Sequence, residues 1–179
     1  QETYIQKGDV YLSDDGFTSR KIERLEGEEY RYKYTNERQE QFFFDDIGRC
    51  IKKLTGEGRA IQFEYNELKL KKLSTEFGTG YVFDYEESDD GNSYVTKVAD
   101  LSGRSIELKY EDIDDKFSRT GKMHVLTEIH DEMGSVYSFK YNDLCKMYTV
   151  INARNTVNLI NEYDGSGGLL GRYSQMAAR

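Results

Sequence analysis

The sequence predicts an all-β chain of consecutive antiparallel β-hairpin repeats forming a twisted or coiled sheet. Three observations predict it. Alternating runs recur at Ile61/Phe63/Tyr65, Tyr81/Phe83/Tyr85, Ile106/Leu108/Tyr110, Tyr137/Phe139/Tyr141 and Val157/Leu159, the last closed by Tyr163. That is the period-two pattern of half-buried strands. Turn formers precede each run, at Gly58-Arg59, Gly78-Thr79, Gly103-Arg104, Gly134-Ser135 and Arg154-Asn155, and such residues reverse the chain at low conformational cost. Third, aromatics make up 13% of the chain, with 15 Tyr, 9 Phe and no Trp. An apolar body with a polar tip suits a sheet face that is only half withdrawn from water.

The totals bound the rest. A chain of 179 residues is long enough for one domain with its own core. The formal net charge of -8 excludes a dedicated nucleic-acid binder, which needs a basic stripe to displace counterions. It also disfavours an anionic membrane surface. No apolar run reaches the length of a membrane span and no signal-peptide pattern opens the chain, so membrane insertion is not expected. Cys50 and Cys145 lie far apart, at non-equivalent places in the repeat, and predict no disulfide.

In chain order, residues 1–12 read as an entering strand, ending in Asp9-Val10-Tyr11-Leu12. Asp14-Asp15-Gly16 is a turn signal. Thr18 to Leu25 fits either a strand or a short helix. Glu26-Gly27-Glu28 turns again, and Tyr30, Tyr32 and Tyr34 then alternate with Arg31 and Lys33. Phe42-Phe43-Phe44 runs into Asp45-Asp46 and the turn at Gly48.

Beyond this point the first half of each unit carries two apolar residues three apart: Ile51/Leu54, Leu70/Leu73, Val95/Val98, Leu126/Ile129 and Met147/Val150. Three-apart spacing suits a helix, but these runs are too short and too closely bounded by turns. A strand with a bulge that returns both residues to one face satisfies the spacing instead. Each alternating strand ends in Tyr plus a turn former or acid: Tyr65-Asn66, Tyr85-Glu86, Tyr110-Glu111, Tyr141-Asn142 and Tyr163-Asp164. The shortest period is about 20 residues, enough for two strands and two turns. Polar insertions at 86–93 and 112–122 fall at one class of turn and are expected to project from one edge. After Gly165-Ser166-Gly167-Gly168, Leu169 to Tyr173 starts another strand. This divides the chain into an N-terminal β segment (1–40), hairpin repeats (41–173) and a short tail (174–179).

These residues resemble the YD-repeat, or rearrangement-hotspot (Rhs) repeat, family. Its consensus joins a Gly-Arg turn, an apolar-x-x-apolar run, a second Gly turn, an alternating strand and a terminal Tyr-Asp. Gly48-Arg49 with Ile51-Lys52-Lys53-Leu54, then Gly58-Arg59 through Phe63-Glu64-Tyr65-Asn66, carry the likeness. Tyr163-Asp164 followed by Leu170-Gly171-Arg172 repeats the junction. Gly48, Arg49, Gly58, Arg59, Tyr65, Tyr85, Gly103, Arg104, Gly134, Tyr110, Tyr141, Tyr163 and Asp164 are the structural repeat positions. Tyr-Asp itself stands intact once, and the family's usual proline is missing from a chain with Pro 0.

The resemblance implies a bacterial secreted or cell-surface protein in which hairpins coil into a spiral sheet, in toxin systems a shell around an effector. A non-enzymatic scaffold segment of a larger parent chain is then the expected role, with the rest of that chain as its partner. About a dozen strands at ~4.8 Å spacing span on the order of 60 Å, a few turns of wall, so the parent would have to supply the remainder of any shell. A carbohydrate- or receptor-binding module on the same scaffold is the second expectation. A small closed β-barrel holding an apolar ligand is the third. Cut sheet ends would leave free edges capable of edge-to-edge homodimerisation.

A search for chemistry favours structure over catalysis. His124 and His130 are the only histidines. Adjacent Asp131 and Glu132 point to opposite faces of a strand, so exposed or hydrogen-bonded histidines are expected rather than a metal site. Gly165 to Gly171 superficially matches a dinucleotide-binding loop but lacks room for the helix such a loop requires. Gly56-Glu57-Gly58 is read as a hairpin turn. Asp89-Asp90-Gly91-Asn92 and Asp112-Ile113-Asp114-Asp115 read as acidic loop tips without an EF-hand pattern. No cofactor is expected. The strand-ending tyrosines fit a structural ladder. Tyr30, Tyr32, Tyr34, Phe117 and Tyr148, which the repeat does not require, are the candidate glycan-binding residues.

Overall fold

The computed structural model describes residues 3–14, 20–27, 29–89 and 91–174. Among them are sixteen β-strands and no helix, arranged as one open sheet in which spatial order follows chain order. Neighbouring strands run antiparallel from the first hairpin to the last, so the architecture is one of consecutive hairpins.

By contacts the chain divides into two compact units. The first spans residues 1–82 with 100–102. It holds β1 (Tyr4–Lys7), β2 (Val10–Ser13), β3 (Lys21–Arg24), β4 (Tyr32–Thr35), β5 (Gln41–Phe44), β6 (Cys50–Leu54), β7 (Ala60–Asn66), β8 (Lys69–Thr75) and the start of β9 (Gly80–Glu87). The second spans 83–99 and 103–179. It holds the rest of β9, then β10 (Ser93–Asp100) up to Ala99, β11 (Ser105–Asp114), β12 (Lys122–Asp131), β13 (Val136–Tyr141), β14 (Met147–Ile151), β15 (Val157–Tyr163) and β16 (Leu169–Ser174). Among the described residues, backbone pairing runs only between consecutive strands.

Several expectations are corrected. The single entering strand over residues 1–12 is two strands, split where Gly8 takes a φ of 65°. Of the two readings of Thr18 to Leu25, the strand holds, as β3. Asp15, Gly16 and Thr18 lie outside the described residues, as do Glu28, Asp90 and the tail beyond Ser174. The closed barrel does not form, because the strand order is open. A dedicated core is also missing: Val125 is the only buried apolar residue among those described, at 6% exposure. Apolar side chains instead lie half-buried along the sheet, where cross-strand neighbours cover them.

Three of the three-apart pairs sit on bulges. Tyr65 faces Leu70, Glu64 faces Lys72 and Phe63 faces Leu73, so Lys71 is skipped. Leu70 and Leu73 therefore share a face with Tyr65 and Phe63. The same displacement sets Tyr110 and Leu108 against Leu126 and Ile129, and Tyr141 and Phe139 against Met147 and Val150. One register needs correction. In β5–β6 it is Cys50 that faces Phe44, and Ile51 is the skipped residue. The first pair is thus Cys50/Lys53 and not Ile51/Leu54. The leading residues of three alternating runs, Tyr81, Ile106 and Tyr137, are exposed rather than covered.

Most hairpins close with one turn design. In Asp131-Glu132-Met133-Gly134, the amide of Gly134 donates to the Asp131 carbonyl and the Asp131 amide donates to Ser135 O. Gly134 has a φ of 78°, which glycine tolerates best. The same pattern runs through Asp45–Gly48, Thr55–Gly58, Asn142–Cys145, Asn152–Asn155 and Asp164–Gly167. In the turn from Asn152, Asn155 rather than Arg154 occupies the glycine place, with a φ of 57°. Cys145 does so in the turn from Asn142, with a φ of 55°. A side chain at such a φ is strained, so Cys145→Gly should stabilise the protein by about 0.5 kcal/mol after glycine's extra unfolded-state entropy is subtracted. A raised thermal midpoint would confirm it, and an unchanged or lower one would refute it.

The insertions mainly lengthen hairpins. β9–β10 and β11–β12 run on past the usual strand end, and both extended ends lie at the same class of turn in the second unit. Asp112 and Asp114 are accordingly strand residues, not loop-tip residues.

Candidate functional site

The most regular side-chain arrangement is a series of tyrosine hydroxyls. Tyr65 donates to the Cys50 carbonyl at 2.9 Å, Tyr110 to Val95 O at 2.9 Å, Tyr141 to Leu126 O at 2.8 Å and Tyr163 to Met147 O at 2.8 Å. The cause is the register. Between β6 and β7 the ladder runs from Lys52–Gln62 to Leu54–Ala60 and stops short of Cys50. Its carbonyl needs a donor, and the tyrosine that ends the incoming strand supplies one. Burial pushes the Tyr110 and Tyr141 hydroxyls above their ordinary pKa, so they remain donors throughout the neutral range.

After Tyr141 and Tyr163 the next residue closes the turn, and Asp45 after Phe44 does the same. Asp164 Oδ1 accepts from the amides of Ser166 and Gly168, both at 2.8 Å. Asn142 Oδ1 accepts from Leu144 at 3.0 Å and Lys146 at 2.9 Å. Asp45 Oδ1 does the same with Ile47 and Arg49. These are local side-chain caps of the kind that make Asp and Asn good turn residues. Arg49 adds a clamp: its Nε donates to Asp45 Oδ2 at 2.7 Å, its Nη1 to the Glu67 carbonyl, and its guanidinium lies 5.4 Å from the Tyr65 ring centre. Arg59, by contrast, is largely exposed and pairs only loosely with Glu57 at 3.2 Å.

These bonds carry a pH dependence. Hydrogen bonds from Ser166 and the Gly168 amide hold the Asp164 carboxyl below its ordinary pKa. Bonds from Lys53, then Asn36, do the same for Glu40. At Asp45 burial acts upward, but the bonds from Arg49 more than reverse it and the pKa falls. A depressed carboxyl pKa contributes stability that is complete above the unfolded pKa, near 4, and is lost as pH falls through the folded value. Stability should therefore decline below about pH 4. Asp164→Asn keeps the Oδ1 acceptor, as Asn142 and Asn152 already do. It should be somewhat less stable than the parent at pH 7, where the charged acceptor is the stronger one, and lose less stability in acid. Parallel acid-denaturation curves for the two proteins would refute this.

A second cluster lies on the extended hairpins of the second unit. His124 faces Asp112 across β11–β12, with Nδ1 2.7 Å from Asp112 Oδ1. Its ring stacks on Tyr110 at 5.3 Å and meets Tyr94 at 4.6 Å. Beside it runs an open trough of about 490 Å³, whose lining includes Asp84, Glu86, Lys97, Glu107 and Lys109. The Tyr110 hydroxyl is already engaged by Val95 O, so the cluster packs the hairpin end. The chain pattern does not single it out, although counting back from the Asp115–Gly121 turn would set His124 opposite Asp112. His130 bonds Glu128 at 2.6 Å. Among the described residues no three metal-ligating side chains gather. Both cysteines are free thiols, and burial pushes both above their ordinary pKa, so they stay protonated at neutral pH.

Among the candidate glycan-binding residues of the first unit, Tyr30 and Tyr34 pack on successive residues of β5. Tyr30 packs on Phe43 at 5.1 Å and Tyr34 on Phe42 at 5.8 Å, and successive residues of a strand point to opposite faces. Tyr32 is partly exposed in β4. Phe117 and Tyr148 belong to the second unit. Phe117 stands 83% exposed on the loop after β11, and Tyr148 is the residue skipped by the β13–β14 bulge. Gly165 to Gly168 form the β15–β16 turn, and Gly56 to Gly58 the β6–β7 turn. No protein-family model matches the chain, and no curated protein matches it.

Proposed function

We propose that this chain is a non-enzymatic structural scaffold segment of a larger YD-repeat-type protein, secreted or displayed on a bacterial cell surface. One observation carries the reading: the recurrent tyrosines and acids are engaged in holding hairpin to hairpin and closing turns. A repeat whose characteristic side chains face its own backbone builds a wall. In a toxin system such a wall would enclose the effector. The mass of the native polypeptide from its source tests this. A mass several times that of 179 residues supports the scaffold, and a chain of this size alone removes the shell.

A binding module on the same scaffold is the second reading, favoured by Phe117 standing out from its hairpin tip. Saturable glycan or receptor binding that is lost in Phe117→Ala or Tyr148→Ala would support it. Binding unaffected by either change would count against it.

A further inference from the structure

We infer that Lys53 and Asn36 form an intramolecular isopeptide bond, with Glu40 between them as the proton carrier. The site lies wholly within the first unit and does not depend on the scaffold reading. It starts from a turn. Asn36-Glu37-Arg38-Gln39 follows the common design: the Gln39 amide donates to the Asn36 carbonyl, the Asn36 amide donates to Glu40 O, and Gln39 takes a φ of 59°. Glu40 is thus the residue just past the turn. No other turn of this design among the described residues puts an acid there. Tyr34 faces Phe42, and Phe42 faces Lys53. Asn36 lies two residues after Tyr34 and Glu40 two before Phe42, so alternation sets both on the face that carries Lys53.

One carboxylate therefore meets both reacting groups. Lys53 Nζ lies 2.6 Å from Glu40 Oε1, and Asn36 Nδ2 donates to Glu40 Oε2 at 2.7 Å. Asn36 Oδ1 accepts from the amides of Arg38 and Glu40, both at 3.0 Å. Those amides are aimed at the oxygen on which charge develops when an amine adds to Cγ. The Phe42 ring centre lies 5.0 Å from Nζ, and the Lys53 and Glu40 side chains are each 23% exposed, which limits the access of water. At rest the pair is ionic, with bonds from Lys53, then Asn36, holding Glu40 below its ordinary pKa. Attack needs the nitrogen lone pair, so a proton first crosses the Lys53–Glu40 bond. Nζ then bonds to Asn36 Cγ, and the Cγ–Nδ2 bond breaks. The two protons that Nζ gives up pass through Glu40 to Nδ2, which leaves as ammonium. No oxidant or other reactant is required. Elsewhere the parts stand separately. Asn142 and Asn152 have the same two-amide cap, but among the described residues no carboxylate meets their Nδ2. Lys72 meets Glu64 at 2.9 Å with no carboxamide bonded to that acid.

The test is peptide mapping of the whole chain after incubation at mildly alkaline pH, which enlarges the share of neutral amine. Trypsin does not cut after an acylated lysine. The bond should therefore yield one branched peptide joining residues 34–38 to residues 53–59, lighter by one ammonia than the two fragments together. Cyclisation of Gln1 also costs one ammonia, so the branched fragment and not the intact mass assigns the bond. The expected result is that this peptide accumulates in the parent and is absent from Lys53→Arg. Glu40→Gln keeps the shape of the side chain but cannot carry the protons, and should slow the reaction by roughly a hundredfold. Absence of the branched peptide from the parent would overturn the inference. So would a branch that forms as fast in Glu40→Gln, an equal yield of branching at Lys72, or a branch onto Glu40 itself with loss of water instead of ammonia.

Discussion

Gly80→Ala is expected to destabilise the first unit by about 3 kcal/mol, the upper range for a steric insertion that the surroundings cannot absorb. Gly80 opens β9 and faces Ser74 of β8. A Cβ there would lie 2.1 Å from the Leu73 carbonyl oxygen and 2.8 Å from Ser74 Cα. Both are backbone atoms of the paired strand, so relief requires β8 and β9 to separate. Gly78→Ala provides the comparison. Its Cβ would meet open space, but its φ is 76°, so the cost there is only the left-handed penalty of about 1–2 kcal/mol. Urea titration of the two variants, with hydrogen exchange at β8 and β9, separates the mechanisms. Equal losses would refute the steric account.

Tyr141→Ala should cost about 2–3 kcal/mol and Tyr141→Phe about 1 kcal/mol. The ring is half-buried against its neighbours in β13 and β14, which lowers its share below that of a fully buried aromatic. The hydroxyl's share comes from the Leu126 carbonyl, which loses its donor at 2.8 Å. Both effects should reduce exchange protection across β12 and β13, since the bond ties the end of β13 to the middle of β12. If Tyr141→Phe is silent, the carbonyl finds water without penalty and the hydroxyl series contributes nothing to stability.

The regular repeat is legible in the sequence because its signals are local. Period-two runs, glycine turns and the three-apart pairs each reflect geometry within a hairpin, and the bulge follows from the spacing of Leu70 and Leu73 alone. The Cys50 register escapes the pattern because Ile51 is the more apolar neighbour, whereas the choice is made by the distance from Phe44 through the turn at Asp45–Gly48. Exposure of Tyr81, Ile106 and Tyr137 is hidden for a different reason. Alternation fixes which face a residue takes, not whether anything covers that face. The close approach at Gly80 leaves no mark in the pattern, since it depends on the path of β8. The His124–Asp112 pair needs the length of the extended hairpin, which only its turn defines.

Pairing confined to consecutive strands also governs how the chain reaches this state. Each hairpin closes over a few residues, so the entropy lost in closing a loop is small and is incurred one step at a time. A sandwich of equal length must bring distant segments together before its pairing begins to offset that loss. Here strands can be laid down in order as the polypeptide leaves the ribosome, each new strand finding its template already formed. The time needed then grows with the number of hairpins rather than with the search for a distant partner.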